Sequence, residues 1–239
     1  MAYGIENGAP LEGNLENIKF FADLGFNYIT LAHSKSNHIS DSSYDENKRW
    51  PDGLSPFGFK VVEEMNKQGV MIDISHVSDA AFMKVLELSK APVVATHSSL
   101  RHFTPGWERN VSDEMLIALA ENGGVIQLCF GSDFVANRKD NPDLEVSVKN
   151  VVDHIDRVRD LVGIDHVGFG SDFDGEVPLP DDINDVSKFP NLIEELLIRG
   201  YSESEIDNLL RIRGIRNNFL VSCNRCVEAN FSCSCSLIT

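Results

Sequence analysis

Cysteine is nearly missing from most of this 239-residue chain: before residue 223 only Cys129 occurs, while Cys223, Cys226, Cys233 and Cys235 crowd together near the end. A disulfide framework is therefore excluded over most of the length, and nothing there demands an oxidising compartment, so a cytoplasmic location is the expectation. The spacing of the four late cysteines, C-x2-C-x6-C-x-C, is too short and irregular for the common zinc modules, and residues 221–239 read as a divergent Cys-rich tail. Cys129, alone in an apolar run, reads as a small buried core residue. Long hydrophobic runs are also lacking: none approaches the ~18 residues that span a bilayer, and the N-terminus has no basic flank with an apolar core. No membrane segment is expected. Positive charge is scarce, with 21 Lys and Arg against 37 Asp and Glu and a net charge of −16, which disfavours nucleic acid or an anionic membrane as partner. Several catalytic signatures are absent as well: H-E-x-x-H, G-x-S-x-G, the Walker A loop, and a G-x-G-x-x-G that opens a helix.

What is present is an ordinary globular composition, 42% hydrophobic and 24% charged, in a pattern that alternates strand with helix. No Pro-rich linker or composition shift interrupts residues 1–220, which read as one domain. YGIENG (3–8) ends a strand, and the apolar spacing of 14–25 predicts a helix closed by glycine. FNYITLAHS (26–34) is a strand followed by a polar loop to residue 56; 59–69 is helical and leads into the strand of VMIDISHVS. A helix over 79–90 precedes the strand of PVVATHSS (92–99), where Ser98 and Ser99 are expected to start a helix. After a loop over 100–111, a helix spans 112–124 and VIQLCF (125–130) is a strand. Residues 147–163 are helical, HVGFGSDFDG (166–175) is the last strand, and helices follow near 189–199 and 203–211. Six strands, each followed by helical sequence, imply a parallel α/β sheet covered by helices.

In such sheets functional groups gather at the carboxyl ends of the strands. Glu6, His33, His76, His97 and Asp172 occupy five of those six ends. One histidine at a strand end is ordinarily a hydrogen-bonded structural residue; two on successive strands, His76 and His97, point to metal ligation. Neighbouring strands are about 4.8 Å apart, so both imidazoles can reach one ion, with Glu6 as a third ligand. A site of this kind acidifies water and polarises a carbonyl, and Asp172 is placed to move protons.

The stretches YGIENG, YITLAHS, MIDISHVS, PVVATHSS, the RNV of WERNVSDE, and VGFGSDFDG resemble the membrane dipeptidase family, the renal dipeptidase-like M19 metallopeptidases, in the family's order from residue 3 to Leu220. The resemblance implies a (β/α)8 barrel of TIM type, two zinc ions and hydrolysis of dipeptides, with D-residues accepted at the C-terminal position. It further implies that Glu6 bridges the metals, that His76 and His97 hold the second zinc, and that Asp172 is the acid/base. His33 would meet the substrate carbonyl and steady the oxyanion, and Arg109 would bind the substrate carboxylate with its planar charged fork. A homodimer is the assembly compatible with it.

Two departures from that pattern stand out. The family's first strand carries an H-x-D motif that ligates the first zinc, and the six strands here correspond to the third through eighth of the barrel. The expectation is thus a barrel truncated to about six of eight βα units, with one metal site incomplete. The one H-x-D in the sequence, His154-Ile155-Asp156, lies in a helical pattern whose i and i+2 positions do not share a face. The second departure is the cysteine-rich tail in place of an amphipathic helix. Beside the dipeptidase reading stand an inactive fragment or interaction protein derived from the family, and another binuclear amidohydrolase; the strand-end H-x-H and bridging lysine of the latter are not seen.

Overall fold

All six expected strands form, each shorter than its apolar run. The structure is a computed structural model that describes residues 3–211, so the tail cysteines Cys223, Cys226, Cys233 and Cys235 and the family-like residues 212–220 lie outside the described residues. The strands are β1 (Tyr3–Ile5), β2 (Phe26–Thr30), β3 (Met71–Asp73), β4 (Val94–Ser98), β5 (Val125–Leu128) and β6 (Val167–Phe169), and they make one six-stranded sheet in chain order. The described chain divides into two units, 3–95 with 121–124, and 96–120 with 125–211.

In the first unit β1 pairs with β2, β2 with β3, and β3 with β4 through Asp73 and Val94, all parallel. Parallel neighbours need crossovers, supplied by α1 (Glu16–Asp23), α2 (Pro56–Gln68) and α3 (Asp79–Leu88). α2 starts one turn earlier than its apolar spacing suggests. Ser55 caps it, accepting from the Gly58 N–H at 2.9 Å, with Pro56 in the first turn, where no N–H is needed. It stops at Gly69, whose φ of 68° is the left-handed conformation of a helix end. Ile18, Ile29, Val61, Met65, Ile72 and Val85 form the buried core of this unit. The segment between β2 and α2 is polar yet tightly organised. Buried Asp41 accepts from the backbone N–H groups of Arg49 and Trp50, each at 3.0 Å, and Ser42 forms an antiparallel bridge with Val77.

In the second unit β5 runs parallel to β6, with Leu128 opposite Phe169. Around them lie α4 (Asp113–Glu121), a short α5 (Ser132–Val135), α6 (Val148–Val162), α7 (Phe189–Ile198) and α8 (Glu203–Arg211). α6 buries Val148, Val151, Val152, Ile155 and Val158, the 3–4 spacing of one helix face. Its other face carries charge: Arg199 at the end of α7 donates to Asp153 and Asp156 (2.7 Å each), and Arg157 pairs with Asp113 of α4. Phe130, Phe169, Phe173 and Phe189 meet edge to face or tilted, with centroids 5.8–6.1 Å apart. No helix among the described residues is long and apolar enough to cross a membrane.

Candidate functional site

β1 is three residues long, and Glu6 is the first residue beyond it. Gly4 lets this end of the sheet close up, because a Cβ there would lie 1.9 Å from the Tyr28 ring. Burial, with the carboxylates of Asp73 and Glu6 nearby, holds the Tyr28 phenol above its usual pKa. Glu6 Oε1 lies 3.2 Å from His76 Nε2 and 3.7 Å from His33 Nε2. The two imidazoles lie side by side, with centroids 4.4 Å apart. His33 is half exposed, its carbonyl accepting from Ser42 Oγ at 2.5 Å. His76 is buried and adopts a φ of 69°, left-handed and uncommon for a residue with a Cβ. Its carbonyl accepts from the Ser43 N–H at 2.8 Å, and two residues later Ser78 caps α3. The first unit thus brings three of the expected residues, Glu6, His33 and His76, to one point.

His97 lies inside β4, half buried, with Nδ1 2.8 Å from Thr96 Oγ1. Within the first unit the Glu6 carboxylate and the buried His76 imidazole each offer a ligand atom, 3.2 Å apart. Imidazole and carboxylate are donors that a divalent transition metal such as zinc takes, and this pair fits one.

Arg109 departs from an ordinary loop arginine. It is buried, donates from Nη1 to Ser98 Oγ (2.7 Å) and from Nη2 to the His97 carbonyl (2.6 Å), and packs its guanidinium 5.1 Å from the Phe134 ring centre. Ser98 and Ser99 consequently do not start a helix. Ser98 ends β4 as an acceptor for Arg109, and Ser99 Oγ donates to the Cys129 carbonyl at 3.0 Å. β4 thus ends on Ser98, one residue short of the expected strand, and the polar side chains there are paired in a buried network rather than capping a helix.

Asp172, three residues past β6, has a φ of 59° and a carboxylate 3.9 Å from Cys129 Sγ. Burial pushes the Cys129 thiol up to about 12, so it stays protonated and can donate to that carboxylate. His154 does not join the candidate site. It is fully buried in α6, where Nδ1 accepts from the Leu100 N–H (3.0 Å) and Nε2 faces the Val135 carbonyl (3.2 Å), and burial lowers its pKa to about 3. Its Nδ1 accepts, so its Nε2 carries the proton: a neutral structural cross-link.

A family model for membrane dipeptidases, peptidase family M19, matches residues 1–220. The chain belongs to this family. It is 38% identical over 213 residues to dipeptidase tcpJ of Claviceps purpurea (strain 20.1), covering 89% of this chain and 49% of that protein. To dipeptidase 3 of Mus musculus it is 36% identical over 211 residues, covering 87% and 42%. The chain thus spans about half the length of these curated relatives, or less. Among solved structures, the probable dipeptidase PvdM of Pseudomonas aeruginosa superposes with a TM-score of 0.81 at 28% identity, covering 92% of this chain and 69% of that one. A metallo peptidase of Rhodobacter sphaeroides, solved with a phosphinate mimic of the dipeptide L-Ala-D-Ala, gives 0.82 at 30% identity, covering 91% and 63%. The relatives are dipeptidases and metallopeptidases, and a metal cofactor belongs to the family chemistry.

Proposed function

We propose that the protein of this chain hydrolyses dipeptides with zinc held by Glu6, His76 and His97. The observation that carries the proposal is the approach of Glu6 Oε1 to within 3.2 Å of the buried His76 Nε2, two donors that follow β1 and β3. Bound there, zinc supplies Lewis acidity, which lowers the pKa of water and polarises a carbonyl.

The chain's own residues do the remaining work. Arg109 holds the free carboxylate of a two-residue substrate through a charged planar fork, which limits the substrate to short peptides. His33, beside Glu6 and half exposed, donates to the oxygen that gains charge as the peptide carbon becomes tetrahedral. Asp172 takes a proton from the attacking water and returns it to the departing amine nitrogen. The Cys129 thiol at 3.9 Å gives one carboxylate oxygen of Asp172 a weak donor. A D-residue at the C-terminal position is part of the proposal, supported by the L-Ala-D-Ala mimic bound to the Rhodobacter sphaeroides neighbour.

The test is Gly-Xaa and L-Ala-D-Ala hydrolysis with zinc content measured on the same sample. Expected are bound zinc, turnover abolished by a chelator and restored by zinc, and loss of both zinc and turnover in His76→Ala. Turnover that survives chelation, or a protein that takes up no metal, would overturn the reading.

A further inference from the structure

β3 ends on an aspartate that the proposed chemistry does not use. Asp73 follows Met71 and Ile72 in an apolar strand and is fully buried. Its register partner in β2 is Thr30, whose Oγ1 donates to Asp73 Oδ2 at 2.5 Å. The other oxygen, Oδ1, accepts the backbone N–H of Ser75 at 2.9 Å. A carboxylate bonded to the N–H two residues ahead makes an Asx-type turn, which bends the chain out of the strand direction. Immediately after this turn comes His76 with its left-handed φ of 69°, and its Nε2 stands 3.2 Å from Glu6 Oε1.

A buried carboxyl is a poor device for stability alone. A hydrophobic side chain of similar size would fill the space between β2 and β3 without desolvating a polar group. What the carboxyl does, and an apolar residue cannot, is accept two hydrogen bonds in different directions. One is anchored on the neighbouring strand, the other on the turn that delivers His76.

We propose that Asp73 is a positioning residue for the metal centre: oriented by Thr30, its carboxylate holds the 73–76 turn so that His76 faces Glu6 before an ion arrives. This rests on the reading of Glu6, His76 and His97 as ligands. A ligand fixed in advance loses less freedom on binding, and the partners that orient ligands govern affinity as the ligands themselves do.

The experiment titrates Zn²⁺ alone into the full chain against a competing chelator, for wild type, Asp73→Ala, Asp73→Asn and Thr30→Val, with circular dichroism and melting of the metal-free proteins alongside. Asp73→Ala is expected to bind zinc about 10- to 100-fold more weakly. Asp73→Asn keeps an acceptor for Ser75 and can donate its amide to Thr30 Oγ1, so it should restore affinity toward wild type, which a general loss of stability would not do. Thr30→Val should fall between the two. A folded Asp73→Ala with wild-type affinity overturns the proposal. If Asp73→Ala does not fold, unchanged affinity in folded Thr30→Val overturns it instead. A His76→Ala protein that binds zinc like wild type would overturn the ligand assignment itself, a result separable from the others.

Discussion

Gly175 sets where the Asp172 carboxylate points. A Cβ at Gly175 would lie 2.3 Å from Asp172 Oδ1, and the Gly175 N–H donates to the Asp172 carbonyl at 3.1 Å. Gly175→Ala therefore leaves the backbone turn possible but forces the carboxylate to rotate. With a misplacement near 1 Å, kcat for dipeptides should fall by about 100-fold while zinc content stays at wild type, read by steady-state kinetics and metal analysis. Arg109 gives a contrasting case. Its fork binds Ser98 Oγ and the His97 carbonyl at once. A lysine keeps the charge but not the fork, so Arg109→Lys should raise KM for dipeptides and also lower the melting temperature. A rise in KM with an unchanged melt would show that the contacts to Ser98 and His97 add nothing to stability.

Among the elements, helices and strands differ in how far the sequence exposes them. The 3–4 spacing of α6 and the period of α2 are written in apolar residues, and both helices form where that spacing predicts. The first turn of α2 was missed because Ser55-Pro56 carries no hydrophobic signal; its signal is capping chemistry. That chemistry is testable. Ser55 Oγ accepts from Gly58 and donates to the His38 carbonyl at 2.6 Å, so Ser55→Ala should cost about 1 to 2 kcal/mol in urea unfolding. The loop between β2 and α2 reads in sequence only as polar. Its order comes from Asp41 and serines bonding to backbone groups 6–9 residues away, a pattern without periodicity.

At the scale of the whole molecule, acid should be destabilising, and two groups of the second unit set the window. His154 has a folded pKa of about 3, well below the ordinary imidazole value, so protons bind the unfolded chain more readily. Its contribution is complete above about pH 6.5 and is lost as pH falls toward 3, at up to about 1.4 kcal/mol per pH unit. Asp113 adds to this at lower pH. The hydrogen bond from Arg157 lowers its pKa, so its stabilisation is present above the ordinary carboxylate range and is lost as pH falls through the folded value. Denaturant midpoints between pH 8 and 3 should show this decline, with the part between pH 6.5 and 5 absent in His154→Gln. An unchanged slope in that variant would place the acid sensitivity elsewhere.

The sequence by itself determined the βα order, the apolar strands and the residues that stand at their ends. These are local facts: an apolar run, a following polar residue and a helix cap fix them within a dozen positions. The resemblance of five such ends, with the RNV of the 100–111 loop, also named the family. Only the tertiary structure decided which of those side chains meet and how each is held. Thr30 and Asp73 are 43 residues apart, Leu100 and His154 are 54 apart, and Arg109 reaches back to β4. Each contact depends on strand register and on the packing of a crossover helix, which put distant residues within hydrogen-bond reach and leave no periodic trace in the chain. For the same reason nothing in the sequence singles out Asp73, whose hydrogen bonds with Thr30 and Ser75 exist only in the folded chain.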